Sequence, residues 1–215
     1  LDILTKEGDG VLIQKPVYYP FSGKIEGNRR TIVNNPLIYQ NGRYEIDFED
    51  LEAKMSVPAN KGMILCSPHN PVGRVWTEQE LKSIVEICKK YDKWIISDEI
   101  HFDLVRKGVK HQPLLKLCPE YKDRIIVCTA PSKTFNLAGM QLSNIVIPNP
   151  EYQKLWNAET GDKLSVNFAS PLGITAVIAA YNESEDWLNQ VNDYIDANIA
   201  FAKEYFAQNL PKAKM

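Results

Sequence analysis

The sequence predicts a three-layer α/β/α domain built around a mostly parallel sheet. Five short apolar runs recur along the chain, they are continuous rather than alternating, and capped helical patterns lie between several of them. A parallel sheet is covered by helices on both faces, so its strands need apolar residues at nearly every position. Periodicity alone would also admit buried helix, but the length and β-branched content of the runs favour strand.

The first run, "GVLIQ" (10–14), comes after "LDILTKEGDG", which reads as the tail of a helix. "NGRYE" (41–45) carries an Asn-Gly turn signal at the end of an exposed excursion. "IDFEDLEAKM" then reads as a short helix capped by Asp47, leading into the second run, "GMILC" (62–66). "TEQELKSIVEICKKYD" opens with Thr77 and Glu80 in capping-box spacing. Leu81, Ile84, Val85 and Cys88 form its apolar stripe, and Lys89 and Lys90 suit its negative end. The runs "KWIIS" (93–97), "RIIVCT" (124–129) and "SNIVIP" (143–148) complete the set. Only about thirteen residues separate the last two, and a parallel crossover needs about a dozen or more, usually with a helix. The last run is therefore expected to lie antiparallel to its neighbour.

From residue 150 the pattern turns helical: "NPEYQKLWNAE", "ASPLGITAVIAAYNE", then a long helix opening at Ser184. A helix of that length often bridges two domains. The expected division is a core over residues 1–182 and a long helix over 183–215 that leads to a further domain. The chain reads as an internal piece of a longer protein.

Net charge is −2 across 215 residues, which provides no basic field for nucleic acid. No apolar stretch approaches the roughly 20 residues that cross a bilayer. Cys66, Cys88, Cys118 and Cys128 include no close pair, so neither a zinc site nor a disulfide framework is expected. Cys66, Cys88 and Cys128 lie in or beside apolar runs and read as small core residues of a reduced, cytoplasmic protein. His69, His101 and His111 also lack the spacing of metal ligands.

The functional signal lies in the polar residues just past the strands. "MILC" leads into "SPHNPVG" with Asn70, "WIIS" into "DEIHFD" with Asp98 and His101, and "IIVCT" into "APSKTF" with Lys133. Ligands of open α/β sheets bind beyond the carboxyl ends of the strands, so these loops are expected to converge. A lysine amine forms Schiff bases with carbonyl cofactors, and burial pushes it toward reactivity. A carboxylate facing a pyridine nitrogen keeps it protonated and makes the ring an electron sink. An amide can bond the ring's phenolate oxygen, and Tyr18 or Tyr19 can stack on its face. Lysine, acid, amide and aromatic together describe a pyridoxal 5'-phosphate (PLP) site. Taken singly, each has an ordinary reading: an exposed lysine, a helix-capping aspartate, an Asn-Pro turn, a surface tyrosine. Their shared position at strand ends carries the inference.

"SPHNPVGRVWTEQEL", "ISDEIHFDL" and "SKTFNLAG" resemble, in order, the asparagine, aspartate and lysine signatures of the fold-type I PLP enzymes of the aspartate aminotransferase superfamily. The resemblance spans essentially the whole chain. "PVYYPFSGKIEGNRR" and "DEIHFDL" are most similar to its cystathionine β-lyase, or C–S lyase, branch. Two departures from the aminotransferase pattern agree with that branch: His101 stands where many relatives have tyrosine, and Gln141 where many have a phosphate-binding arginine.

The resemblance implies Lys133 as the Schiff-base lysine and general base, with Asp98 on the pyridinium. It implies Asn70, with His101, on the phenolate oxygen, Tyr18 as the stacking aromatic and Ser132 as a candidate for the phosphate. It also implies an amino-acid substrate, a homodimer, a phosphate-binding loop before this chain, and a small domain with a carboxylate-binding arginine after it. The fragment alone is therefore expected to bind PLP weakly or not at all and to be inactive. Competing expectations are a PLP-dependent aminotransferase and an aminotransferase-like ligand-binding domain without turnover. A nicotinamide-binding domain is disfavoured because no G-x-G-x-x-G comes after the first strand.

Overall fold

A computed structural model describes residues 1–166, 168–210 and 212. Its centre is a six-stranded sheet in the order β2-β1-β5-β6-β7-β8. The strands are β1 (Gly10–Ile13), β2 (Thr31–Asn34), β5 (Asn60–Cys66), β6 (Trp94–Asp98), β7 (Ile125–Thr129) and β8 (Asn144–Val146). Every neighbouring pair is parallel except β7–β8, which is antiparallel as the short connection requires. β3 (Ile38–Gln40) and β4 (Arg43–Glu45) form a separate hairpin. Its two-residue turn places Asn41 and Gly42 at φ 53 and 76, the left-handed conformations that a tight hairpin of this twist demands.

Continuous hydrophobicity in β1, β5, β6 and β7 is explained by burial on both faces; the run of β8, at the sheet edge, is largely exposed. Leu12, Met63, Leu65, Ile95, Ile125 and Val127 point to one side, where they meet Leu51, Met55, Leu81, Ile84, Val85, Cys88 and Leu114. Those partners come from α2 (Phe48–Met55), α3 (Glu78–Lys90) and α4 (Leu114–Leu117). Val11, Ile13, Ile64 and Trp94 point the other way, against Ile25 of α1 (Pro20–Gly27) and the apolar side chains of Leu1 and Leu4.

The expected caps form at Asp47, whose side chain accepts the Asp50 N–H, and at Thr77, which makes a full capping box with Glu80. Ser184 occupies the position before the long helix but makes no side-chain cap. The opening segment is a hydrogen-bonded turn, with Leu4 and Thr5 N–H donating to Leu1 O, rather than a helical tail.

α5 (Pro131–Thr134) lies between β7 and β8, and past the sheet come α6 (Pro150–Asn157), α7 (Pro171–Glu183) and α8 (Glu185–Asn209). A π-helical turn, Ala158–Lys163, extends α6. No helix among the described residues is long and apolar enough to cross a membrane. All four cysteines are free; Cys66, Cys88 and Cys118 are buried and Cys128 is half-buried.

Candidate active site

The chain lays β2 on one side of β1 and later returns to lay β5 on the other. Sheet order therefore reverses at the β1–β5 pair, and a crevice opens beyond the carboxyl ends of such strands. There a single cavity is lined by Tyr18, Cys66, Asn70, Asp98, Ile100, His101 and Lys133. Five of the six expected side chains thus meet at one place, from the ends of β1, β5, β6 and β7. Ser132, half-buried on the same turn as Lys133, is not part of the lining. Tyr18 rather than Tyr19 faces the cavity; Tyr19 is 83% exposed. Lys133 is exposed at the rim, not buried as a lysine past an internal strand had suggested.

The asparagine loop is held by its own backbone and by α3. His69 N–H donates to Arg74 O at 2.7 Å, and Gly73 N–H to His69 O at 2.8 Å. Buried Trp76 donates Nε1–H to Cys66 O at 2.9 Å. Arg74 lies 4.6 Å over the Trp76 ring and forks onto Glu80 at 2.7 and 2.9 Å. Glu80 therefore fastens the helix start and the loop together. Asn70 N–H donates to Cys66 Sγ at 3.4 Å.

Asp98 ends β6 and accepts one backbone hydrogen bond, from Ile100 N–H at 3.2 Å. Burial raises its carboxyl above the ordinary range, and neighbouring Glu99 adds to the shift, while the Ile100 bond opposes it. The aspartate is thus a desolvated carboxyl whose charged form lacks a cation beside it among the described residues. A protonated ring nitrogen would meet that need. His101 is held below the usual imidazole range by burial first and by the Lys133 ammonium second, so it meets a ligand as a neutral ring. Cys66 is no nucleophile: burial pushes its thiol up to about 12.

Behind Asp98, Glu99 is buried and fully used. It accepts Ser97 Oγ–H at 3.0 Å and Leu114 N–H at 3.0 Å, and pairs with His111 Nε2 at 2.9 Å. This network ties the strand end to α4 and fixes the loop that carries Asp98 and His101.

Cys66 and Ile100 are lining residues that sequence reasoning passed over. Their signal was position alone: one ends the run before the asparagine loop and the other stands two residues past Asp98. Gln141 adopts φ 50 and lines a different cavity, with Leu142, Trp156 and Thr160.

Fold and cavity together define an open α/β domain with a ligand crevice of lysine, carboxylate, amide and imidazole. The chain belongs to the aminotransferase class I and II family, whose model matches residues 1–213. It is 42% identical to cystathionine beta-lyase PatB of Bacillus subtilis, over 98% of this chain and 54% of that protein. Among solved structures, the PLP-containing cystalysin of Treponema denticola superposes with a TM-score of 0.95 at 42% identity, covering 98% of this chain and 53% of that one. The PLP-bound C–S lyase of Staphylococcus hominis gives 0.91 at 40% identity, covering 97% and 52%. The chain spans about half the length of these relatives.

Proposed function

We propose that the full-length protein is a PLP-dependent C–S β-lyase. It would convert an amino acid bearing sulfur on its β-carbon, with water, into a thiol, pyruvate and ammonia. The single observation that carries this is the convergence of Lys133, Asp98, Asn70, His101 and Tyr18 on one cavity. Similarity at about the 40% level to a C–S lyase and a cystathionine beta-lyase supports elimination over other outcomes.

The residues suit the cofactor. Lys133 would hold it through its amine, and Asp98, short of a cation, would keep the ring nitrogen protonated. Asn70 and neutral His101 would bond the phenolate oxygen, Tyr18 would stack on the ring, and Ser132 is the proposed contact for the phosphate. When bound, PLP supplies an electron sink that stabilises negative charge at the substrate's α-carbon. The Lys133 amine would take the α-proton of the substrate, and the β-thiolate would leave with the electron pair of its carbon–sulfur bond. An amino-acid substrate, a homodimer and a cytoplasmic setting belong to the same reading, the last supported by four free cysteines.

In the full-length protein, Lys133→Ala should abolish the visible absorbance of covalently attached cofactor. Retained absorbance with unchanged turnover would overturn the assignment. Pyruvate release from cystathionine without an added keto acid marks the lyase. Amino transfer that depends on a keto acid marks the aminotransferase, the reading that the family membership itself keeps in play.

A further inference from the structure

We propose that Asp103 is a positioning residue for Lys133, fastening the lysine's turn to the acid loop and both to the long helix α8. The inference rests on the functional reading above and extends it to a residue outside the cavity lining. Lys133 sits on α5, a helix of four residues with no side-chain cap at its start. One turn cannot hold itself, because helix nucleation costs more than one hydrogen bond returns. Among the described residues, the side-chain hydrogen bond that anchors this turn comes from Thr134, next to the lysine and 1% exposed. Its hydroxyl donates to Asp103 Oδ2 at 2.9 Å, across 31 residues of sequence.

Asp103 is in turn fixed from α8. Asn192 Nδ2–H donates to the Asp103 carbonyl at 3.0 Å. Arg106, three residues on, donates to Asp196 Oδ1 at 2.8 Å and to Asn192 Oδ1 at 3.0 Å. Asn192 and Asp196 stand one helical turn apart, so a single face of α8 grips the loop beyond His101. Phe135 packs edge-on against Tyr181 of α7 and lies beside Trp187 of α8, with ring centroids 5.1 and 5.8 Å away. The lysine turn therefore has one polar and one aromatic attachment, and the polar one passes through Asp103. Cutting it frees Lys133 to wander without touching any group that lines the cavity.

The test uses the full-length protein loaded with PLP and the variants Asp103→Leu, Thr134→Val and Thr134→Ser. Three readouts are taken: kcat and KM for cystathionine, the bound-cofactor absorbance, and amide hydrogen exchange over residues 131–135. Thr134→Val should lower kcat at least about tenfold, within the range that a misplacement of ~1 Å produces, with KM little changed. Exchange across 131–135 should quicken, and Thr134→Ser, which keeps the hydroxyl, should restore both. Asp103→Leu, which has no acceptor, should move in the same direction; if it fails to fold, the threonine pair decides. Unchanged kcat and exchange in Thr134→Val would overturn the proposal, as would a serine variant as impaired as valine. Lys133→Ala serves as the control. If it keeps the attached cofactor, the functional reading itself falls; if it loses it while Thr134→Val behaves as wild type, only the positioning role falls.

Discussion

Asp98 stands directly opposite Cys66 in the parallel ladder of β5 and β6, and each is the last residue of its strand. Cys128 of β7 pairs with Asp98 on the other side. The ladder is closed at this level by Ser67 N–H donating to Asp98 O and Glu99 N–H donating to Cys128 O, both at 2.9 Å. Three neighbouring strands therefore release their loops at one height. That shared register brings Asn70, Asp98 and Lys133 together from segments far apart in sequence.

Asp98 should make the cofactor-free protein less stable as pH rises. Its folded-state pKa lies above the ordinary 3.8 because burial disfavours the charge. Between those two values the folded state holds more protons than the unfolded one, so unfolding free energy falls with increasing pH through that window. Asp98→Asn removes the buried charge. Thermal melts of the cofactor-free chain should show a higher Tm for the variant at pH 7, with the difference vanishing at acid pH. An equal gain at all pH values would assign the effect to something other than the charge.

Glu99→Ala should be severely destabilising. It strips an acceptor from Ser97, from Leu114 N–H and from His111 at once, all in a buried setting. Each buried donor left without its acceptor typically costs about 1–3 kcal/mol. Urea denaturation checks the figure; a loss below about 1 kcal/mol would mean that water replaces the carboxylate.

Thr77→Ala removes the hydroxyl that accepts the Glu80 N–H and donates to the Glu80 carboxylate, leaving the box only the Thr77 N–H on Glu80. The expected loss is about 1 kcal/mol. Thr77→Ser should recover most of it, and the pair of denaturation midpoints is the measurement.

Gly62→Ala tests the closeness of β5 and β6. A methyl group there would stand 2.3 Å from the Trp94 carbonyl oxygen and from its ring. Backbone cannot retreat as a side-chain tip can, so overpacking should cost about 1–3 kcal/mol. Near-neutral stability would show that the two strands slide apart easily.

The chemistry and the sheet were largely legible in the sequence, for identifiable reasons. Strands buried on both faces must be apolar throughout, so β1, β5, β6 and β7 stood out; at the two edges β8 was marked by its apolar run although it is largely exposed, while β2, with only Ile32 and Val33, was passed over. The Asp47 and Thr77 caps were readable because they are local hydrogen bonds between residues three apart. Side-chain exposure was not readable: Lys133 lies open at the rim because its turn projects past β7. Nor was the hold of Asp103 on Thr134, or of Glu99 on His111 and α4. The sequence determined which groups stand at strand ends, since hydrophobic period and turn chemistry act over a few residues. Only the tertiary structure decided which of them share a cavity and what fastens them there, because strand register and long-range hydrogen bonds exist only once the chain has closed on itself.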